Sequence, residues 1–135
     1  MRRIKIGMVG GGQGSFIGAV HRIAARIDDR FDFVAGALSS DPARAVASAQ
    51  ELGICPSRIY TNFSEMAQRE AQRSEGIEAV SIVTPNHLHA EAAIAFLEVG
   101  IHVICDKPLT VSSKEASRIK AAVEASKARF FLTHN

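Results

Sequence analysis

The chain has 135 residues, 47% of them hydrophobic and 22% charged, which is room for one folded domain of ordinary globular composition. Sixteen basic residues against fourteen acidic give a net charge of +2, with no Lys/Arg stripe of the kind that binds nucleic acid or an anionic membrane. Cys55 and Cys105 lack the spacing of a disulfide framework or a zinc site. No apolar run approaches the roughly 18 residues of a membrane span. The basic start, Met1-Arg2-Arg3-Ile4, is interrupted at Gly10-Gly11-Gly12 before it can form a signal peptide. The expectation is a cytoplasmic single domain, 1–135, without metal, membrane or nucleic acid.

In chain order, Ile4–Val9 reads as a first strand, followed by glycines. From Phe16 the apolar residues Ile17, Val20, Ile23, Ala24 and Ile27 recur at helical spacing. Phe31–Leu38 reads as a second strand. Asp41-Pro42 opens a helix with a capping side chain and a proline at its first position, and Gly53 closes it. Arg58-Ile59-Tyr60 is expected as a short strand. Asn62, with Glu65 three positions on, starts a helix to about Arg73. Ala79–Val83 is a buried strand ended by Thr84-Pro85, and Leu88, Ala92, Ala95 and Val99 mark a helix stopped by Gly100. Ile101–Cys105 is a strand, Ser112 and Glu115 form a capping box ahead of a helix carrying Ala116, Ile119 and Val123, and Phe130–Leu132 is a last strand. Near-continuously apolar strands joined through helices imply right-handed crossovers and a parallel sheet covered on both faces: a doubly wound α/β fold.

In such sheets ligands bind beyond the carboxyl ends of the strands. Five clusters of chemically distinctive residues follow five of the predicted strands. The first, Gly10 to Gly18, is a phosphate-binding candidate through Gly10, Gly12, Gln13, Gly14, Ser15, Phe16, Ile17 and Gly18, because glycines admit an anion to backbone amides at a helix start. Its spacing runs about three residues longer than G-x-G-x-x-G. After the second strand, Ser39 and Ser40 carry no charge to repel a 2′-phosphate, Arg44 lies one turn on, and Asp41 is better placed as a helix cap. This end permits NADP without excluding NAD.

After Val83 come Thr84, Pro85, Asn86, His87 and His89, with no acid or cysteine at metal spacing. His89 reads as a helix start or a loop hydrogen bonder, and His21 as a half-buried helix histidine. After Cys105, itself read as a small buried strand residue, come Asp106, Lys107 and Pro108. Lys107 is either an acid–base group or a solvated lysine paired with Asp106, and the Lys107–Pro108 bond is a candidate for cis. Thr133-His134-Asn135 forms the fifth cluster.

Taken together, Val9-Gly10-Gly11-Gly12 with Gly18-x-x-His21, Thr84-Pro85-Asn86-His87-Leu88-His89 and Cys105-Asp106-Lys107-Pro108-Leu109 resemble the amino-terminal domain of the glucose–fructose oxidoreductase/inositol dehydrogenase (Gfo/Idh/MocA) family. The resemblance covers the whole chain. It implies a Rossmann domain that binds NAD or NADP in an enzyme moving hydride to or from a carbinol of a sugar, cyclitol or related polyol. On that resemblance Gly10, Gly12 and Gly18 hold the pyrophosphate. Thr84, Pro85, Asn86 and His89 face the adenosine and nicotinamide ribose side. Lys107 is the catalytic lysine, reaching the nicotinamide ribose and the reacting hydroxyl, with Asp106 and Pro108 flanking it and Asn135 at the neighbouring strand end.

Two positions depart from the family pattern: the first loop is longer, and Ser39 stands where many members carry an acid. The resemblance further implies a second α/β domain after Asn135 that supplies substrate contacts and catalytic partners, so that 135 residues alone bind cofactor with weak or no turnover, and a homo-oligomer in the full-length protein. Two other functions remain open on the residues: a non-catalytic NAD(P)-responsive module, and a relative that uses bound NAD to cleave glycosides.

Overall fold

The apolar runs pair side by side in one parallel sheet in the computed structural model, which describes Met1–Asn135 throughout. The elements are β1 (Ile4–Gly10), α1 (Phe16–Arg26), β2 (Phe31–Ala37), α2 (Pro42–Glu51), α3 (Phe63–Gln72), β3 (Ala79–Val83), α4 (His89–Glu98), β4 (His102–Cys105), α5 (Ser113–Ala125) and β5 (Phe130–Leu132). The strand order is β2-β1-β3-β4-β5. β1 is therefore an inner strand, with Ile6 paired to Phe33 on one side and Ala79 on the other.

Local chemistry sets most element ends. Asp41 accepts from the Arg44 amide at 3.1 Å ahead of Pro42, Asn62 accepts from the Ser64 and Glu65 amides, and Ser112 accepts from the Glu115 amide while Glu115 reaches back to Val111 N. These three starts are where the sequence pattern puts them.

One expected strand is reduced. Arg58–Tyr60 does not form a ladder: Pro56–Arg58 is a single 3₁₀ turn, and only Ile59 bridges to Gly36, with the Tyr60 amide donating to the Gly36 carbonyl at 2.8 Å. Pro56 bends the chain into a turn, which leaves just one residue extended beside β2. That bridge still marks the place of a strand outside β2. Counted with it, the order follows the doubly wound 3-2-1-4-5-6 pattern.

The two faces of the sheet are filled unequally. One carries a cluster of 19 buried residues, including Met66 of α3, Phe96 and Leu97 of α4 and Ile119 of α5 against Val80, Ile82 and Val103. The other carries a smaller cluster of Met8, Leu38, Ala49, Ile54 and Val83, with Ile17 of α1 against it. Beside α1 this second face opens as a groove lined by Ile6, Val20, Phe33 and Ile104. No helix of the chain is long and apolar enough to cross a membrane.

Candidate functional site

The strand order reverses between β1 and β3, so the connections leaving their carboxyl ends diverge and leave a crevice. The glycine loop forms one wall. Gly11 has φ +76°, and a Cβ on Gly18 would come within 2.5 Å of the Gly11 Cα. Gly18 thus has a packing job: it lets α1 close against the loop, and its own amide is taken by the Ser15 hydroxyl at 3.3 Å. The amides of Phe16 and Ile17 sit beside it in the first turn of α1, without intrahelical acceptors. At Gly12 a Cβ would lie 2.7 Å from the Leu38 carbonyl oxygen, so a side chain cannot be accommodated there.

Contacts that the sequence did not single out pin this loop. The Gln13 amide donates to buried Ser48 Oγ at 3.0 Å, and its side chain turns away to Glu51. Arg22 donates to the Gly11 carbonyl at 2.9 Å, and Arg44 to the Gln13 carbonyl at 3.1 Å. Ser48, Glu51 and Arg22 sit in helices, where nothing in their spacing announces a loop tether.

Between this loop and the ends of β2 and β3 lies a cleft of about 340 Å³, lined among others by Gly12, Ser15, Ser39, Arg44, Thr84 and Pro85, with no carboxylate in its wall. Asp41 is a helix cap, as expected, and Ser40 and Asn86 lie exposed outside the lining. Thr84 contributes the one buried side-chain polar atom without a hydrogen-bond partner, its Oγ1. A buried hydroxyl left unpaired costs stability, and this one belongs to a residue of the cleft wall.

At the next strand end the Lys107–Pro108 peptide is cis. Lys107 is exposed and in no ion pair. The salt bridge expected with Asp106 is absent because Asp106 turns inward: it is 8% exposed, its amide extends the ladder to the Ile82 carbonyl, and its carboxylate meets His21 and Thr133. His89 starts α4 and contacts the loops at two strand ends, as the sequence reading has it. It is fully buried, with Nδ1 2.8 Å from the Pro108 carbonyl and Nε2 3.0 Å from the Thr84 carbonyl, so the ring is wedged between the two strand ends. Phe16 is 82% exposed at the start of α1, and Asn135 lines the groove beside α1 rather than the glycine cleft. Burial, then the neighbouring Asp106 charge, pushes the Cys105 thiol up to about 12, which leaves it inert as a nucleophile.

A glycine cradle at a helix start, an unpaired hydroxyl and a wall free of carboxylates fit a dinucleotide. Residues 4–134 match the model of the oxidoreductase family with an NAD-binding Rossmann fold, Gfo/Idh/MocA. The chain belongs to this family. Among Gfo/Idh/MocA proteins it is 47% identical over 118 residues to the uncharacterized oxidoreductase YfiI of Bacillus subtilis, covering 87% of this chain and 30% of that protein. An oxidoreductase from Sinorhizobium meliloti superposes with a TM-score of 0.95 at 61% identity, over 99% of this chain and 37% of the other. An inositol dehydrogenase homolog from Azotobacter vinelandii, solved with NADH and myo-inositol, superposes with a TM-score of 0.93 at 40% identity, over 98% and 35%. The chain spans about a third of the length of these relatives. It is an NAD(P)-binding Rossmann domain of the oxidoreductase type.

Proposed function

We propose that this chain is the cofactor-binding part of an NAD(P)-dependent oxidoreductase acting on a carbinol of a cyclitol, sugar or similar polyol. The observation that carries the reading is that the glycine cleft, with its unpaired Thr84 hydroxyl, and the free ammonium of Lys107 stand on adjacent strand ends at one rim of the sheet. The Azotobacter structure with myo-inositol supports the substrate class.

Gly10, Gly11, Gly12 and Gly14, with the amides of Phe16 and Ile17, hold the pyrophosphate. Ser39 and Arg44 face the adenosine ribose, where hydroxyl and guanidinium accept either a 2′-hydroxyl or a 2′-phosphate, and Thr84 and Pro85 form the opposite wall. When bound, the nicotinamide supplies the carbon that accepts or donates hydride. Lys107, with no carboxylate to neutralise it, donates a hydrogen bond to the reacting oxygen and stabilises the negative charge that grows there as the C–H bond breaks or forms. Pro108 shapes the turn that presents it.

The complete polypeptide, with the region that selects substrate, would work in the cytoplasm as a homo-oligomer. Two unpaired cysteines suit a reducing compartment. Fluorescence titration of the folded chain with NADH and NADPH tests the reading: saturable binding of at least one is expected, and silence from both at millimolar concentration would overturn it.

A further inference from the structure

His21 stands outside the glycine cleft yet joins four elements. Its side chain is 9% exposed. From α1, its Nδ1 lies 2.8 Å from Ser81 Oγ in β3 and its Nε2 lies 3.3 Å from Asp106 Oδ1 at the end of β4. The same Asp106 oxygen accepts from Thr133 Oγ1, at 3.2 Å, just beyond β5. A carboxylate only accepts, so the His21 Nε2 carries the hydrogen, and Nδ1 then offers a lone pair to the Ser81 hydroxyl. Both nitrogens of the ring thus meet a partner of the right kind, an acceptor for Nε2 and a donor for Nδ1.

The outcome is visible one residue further on. Asp106 precedes Lys107, and a carboxylate free to swing outward would pair with that ammonium. Held inward by two donors, it leaves Lys107 unpaired at the rim. Gly18, one turn before His21 on the same helix face, seats α1 against the glycine loop.

We propose that His21 is a positioning residue for the nicotinamide side of the site: it fixes Asp106 inward and so keeps Lys107 free, tying the helix that seats the pyrophosphate to the turn that presents the lysine. The inference rests on the proposed oxidoreductase reading, together with the reach of Lys107 to the nicotinamide ribose that the family resemblance implies.

The test compares NADH with ADP, which ends at the pyrophosphate, by calorimetric titration of the 135-residue chain. His21→Asn keeps the reach of Nδ1 but loses that of Nε2, and is expected to weaken NADH about tenfold while ADP stays within about twofold. His21→Gln, whose amide nitrogen reaches as far as Nε2, is expected to recover NADH affinity to within about threefold. Equal weakening of both ligands, unchanged NADH binding, or no recovery with Gln would overturn the inference and make His21 a packing residue. If His21→Asn does not fold, Ser81→Ala takes its place, with an expected loss of about threefold for NADH alone. Unchanged NADH affinity there also overturns it. Absence of NADH and ADP binding by the unsubstituted chain would instead overturn the proposed function, and this inference with it.

Discussion

At the amino rim of the sheet, where α3 turns back into β3, Glu70 is sealed from solvent and takes donors on both oxygens. Arg58 pairs with it, the Tyr60 hydroxyl donates at 2.8 Å, the Ile77 amide at 3.2 Å, and Arg73 stands at 3.4 Å. At the carboxyl rim another buried carboxylate, Asp106, accepts two donors on a single oxygen, beside an exposed lysine without a partner and a threonine hydroxyl without any. The amino rim is closed on itself and contributes stability. The carboxyl rim leaves a buried hydroxyl unsatisfied, which costs stability, and a solvated lysine without a counter-charge, which is available to a ligand. A change at one rim should therefore leave the property of the other rim intact.

The largest expected effect is at the closed rim. Glu70→Ala strands a buried guanidinium and a backbone amide and should lower unfolding stability by about 3–5 kcal/mol. Urea denaturation measures this, and NADH affinity of the molecules that remain folded should be unchanged. A loss under about 1 kcal/mol would show that the rim is not closed as described.

Lys107→Ala should do the reverse. Stability should stay within about 0.5 kcal/mol, as for other exposed side chains, while hydride transfer to a polyol in the complete polypeptide falls about a hundredfold or more. Turnover that survives intact would favour a role for this domain in binding alone.

Thr84→Val sharpens the contrast because it should move the two properties in opposite directions. Replacing an unsatisfied buried hydroxyl by a methyl group should raise stability by about 1 kcal/mol and weaken NADH binding several-fold. Parallel losses in both would mean that the hydroxyl already has a partner in the free protein.

The smallest effect is a matter of which thiol reacts, and each rim has one. Exposed Cys55 is held below its ordinary range first by the Ser57 hydroxyl, whereas burial raises Cys105 to about 12. The thiolate is the reactive form, so a lowered value means labelling at lower pH and a raised one means none near neutrality. Ellman's reagent at pH 8 should take one thiol per folded chain, and the second only on unfolding. Two equivalents from the folded chain would show that the carboxyl rim opens.

How much of this was legible beforehand follows from the range of each interaction. The strands, caps and glycine loop are written in neighbouring residues: Asp41-Pro42, Asn62 with Glu65, and the apolar run Ala79–Val83 all act within a few positions, and each forms as its pattern implies. The clustering of the candidate residues at one rim also follows, because it needs only the rule that parallel strands end on the same side. What the pattern hides depends on partners far apart in the chain. Glu70 looks like any acid on a polar helix until Arg58 and Tyr60 close over it, and His21 acquires its meaning only when β3, β4 and β5 bring Ser81, Asp106 and Thr133 to it. The packing of His89 is hidden in the same way: its place beside Thr84-Pro85-Asn86 is visible in the sequence, while its full burial under the Pro108 turn is not.

The pairing of β1 with β3 has a consequence for the order in which the molecule forms. β1, α1 and β2 are consecutive and can associate early, but Ile6 must then wait for Ala79, more than half the chain away. Long loop closures of this kind are late events in folding. The crevice lies between these two strands, so it does not exist until the closure has happened. A bound dinucleotide can therefore recognise only the finished sheet. It should prolong the life of the native state by slowing unfolding, with little influence on how fast that state is reached.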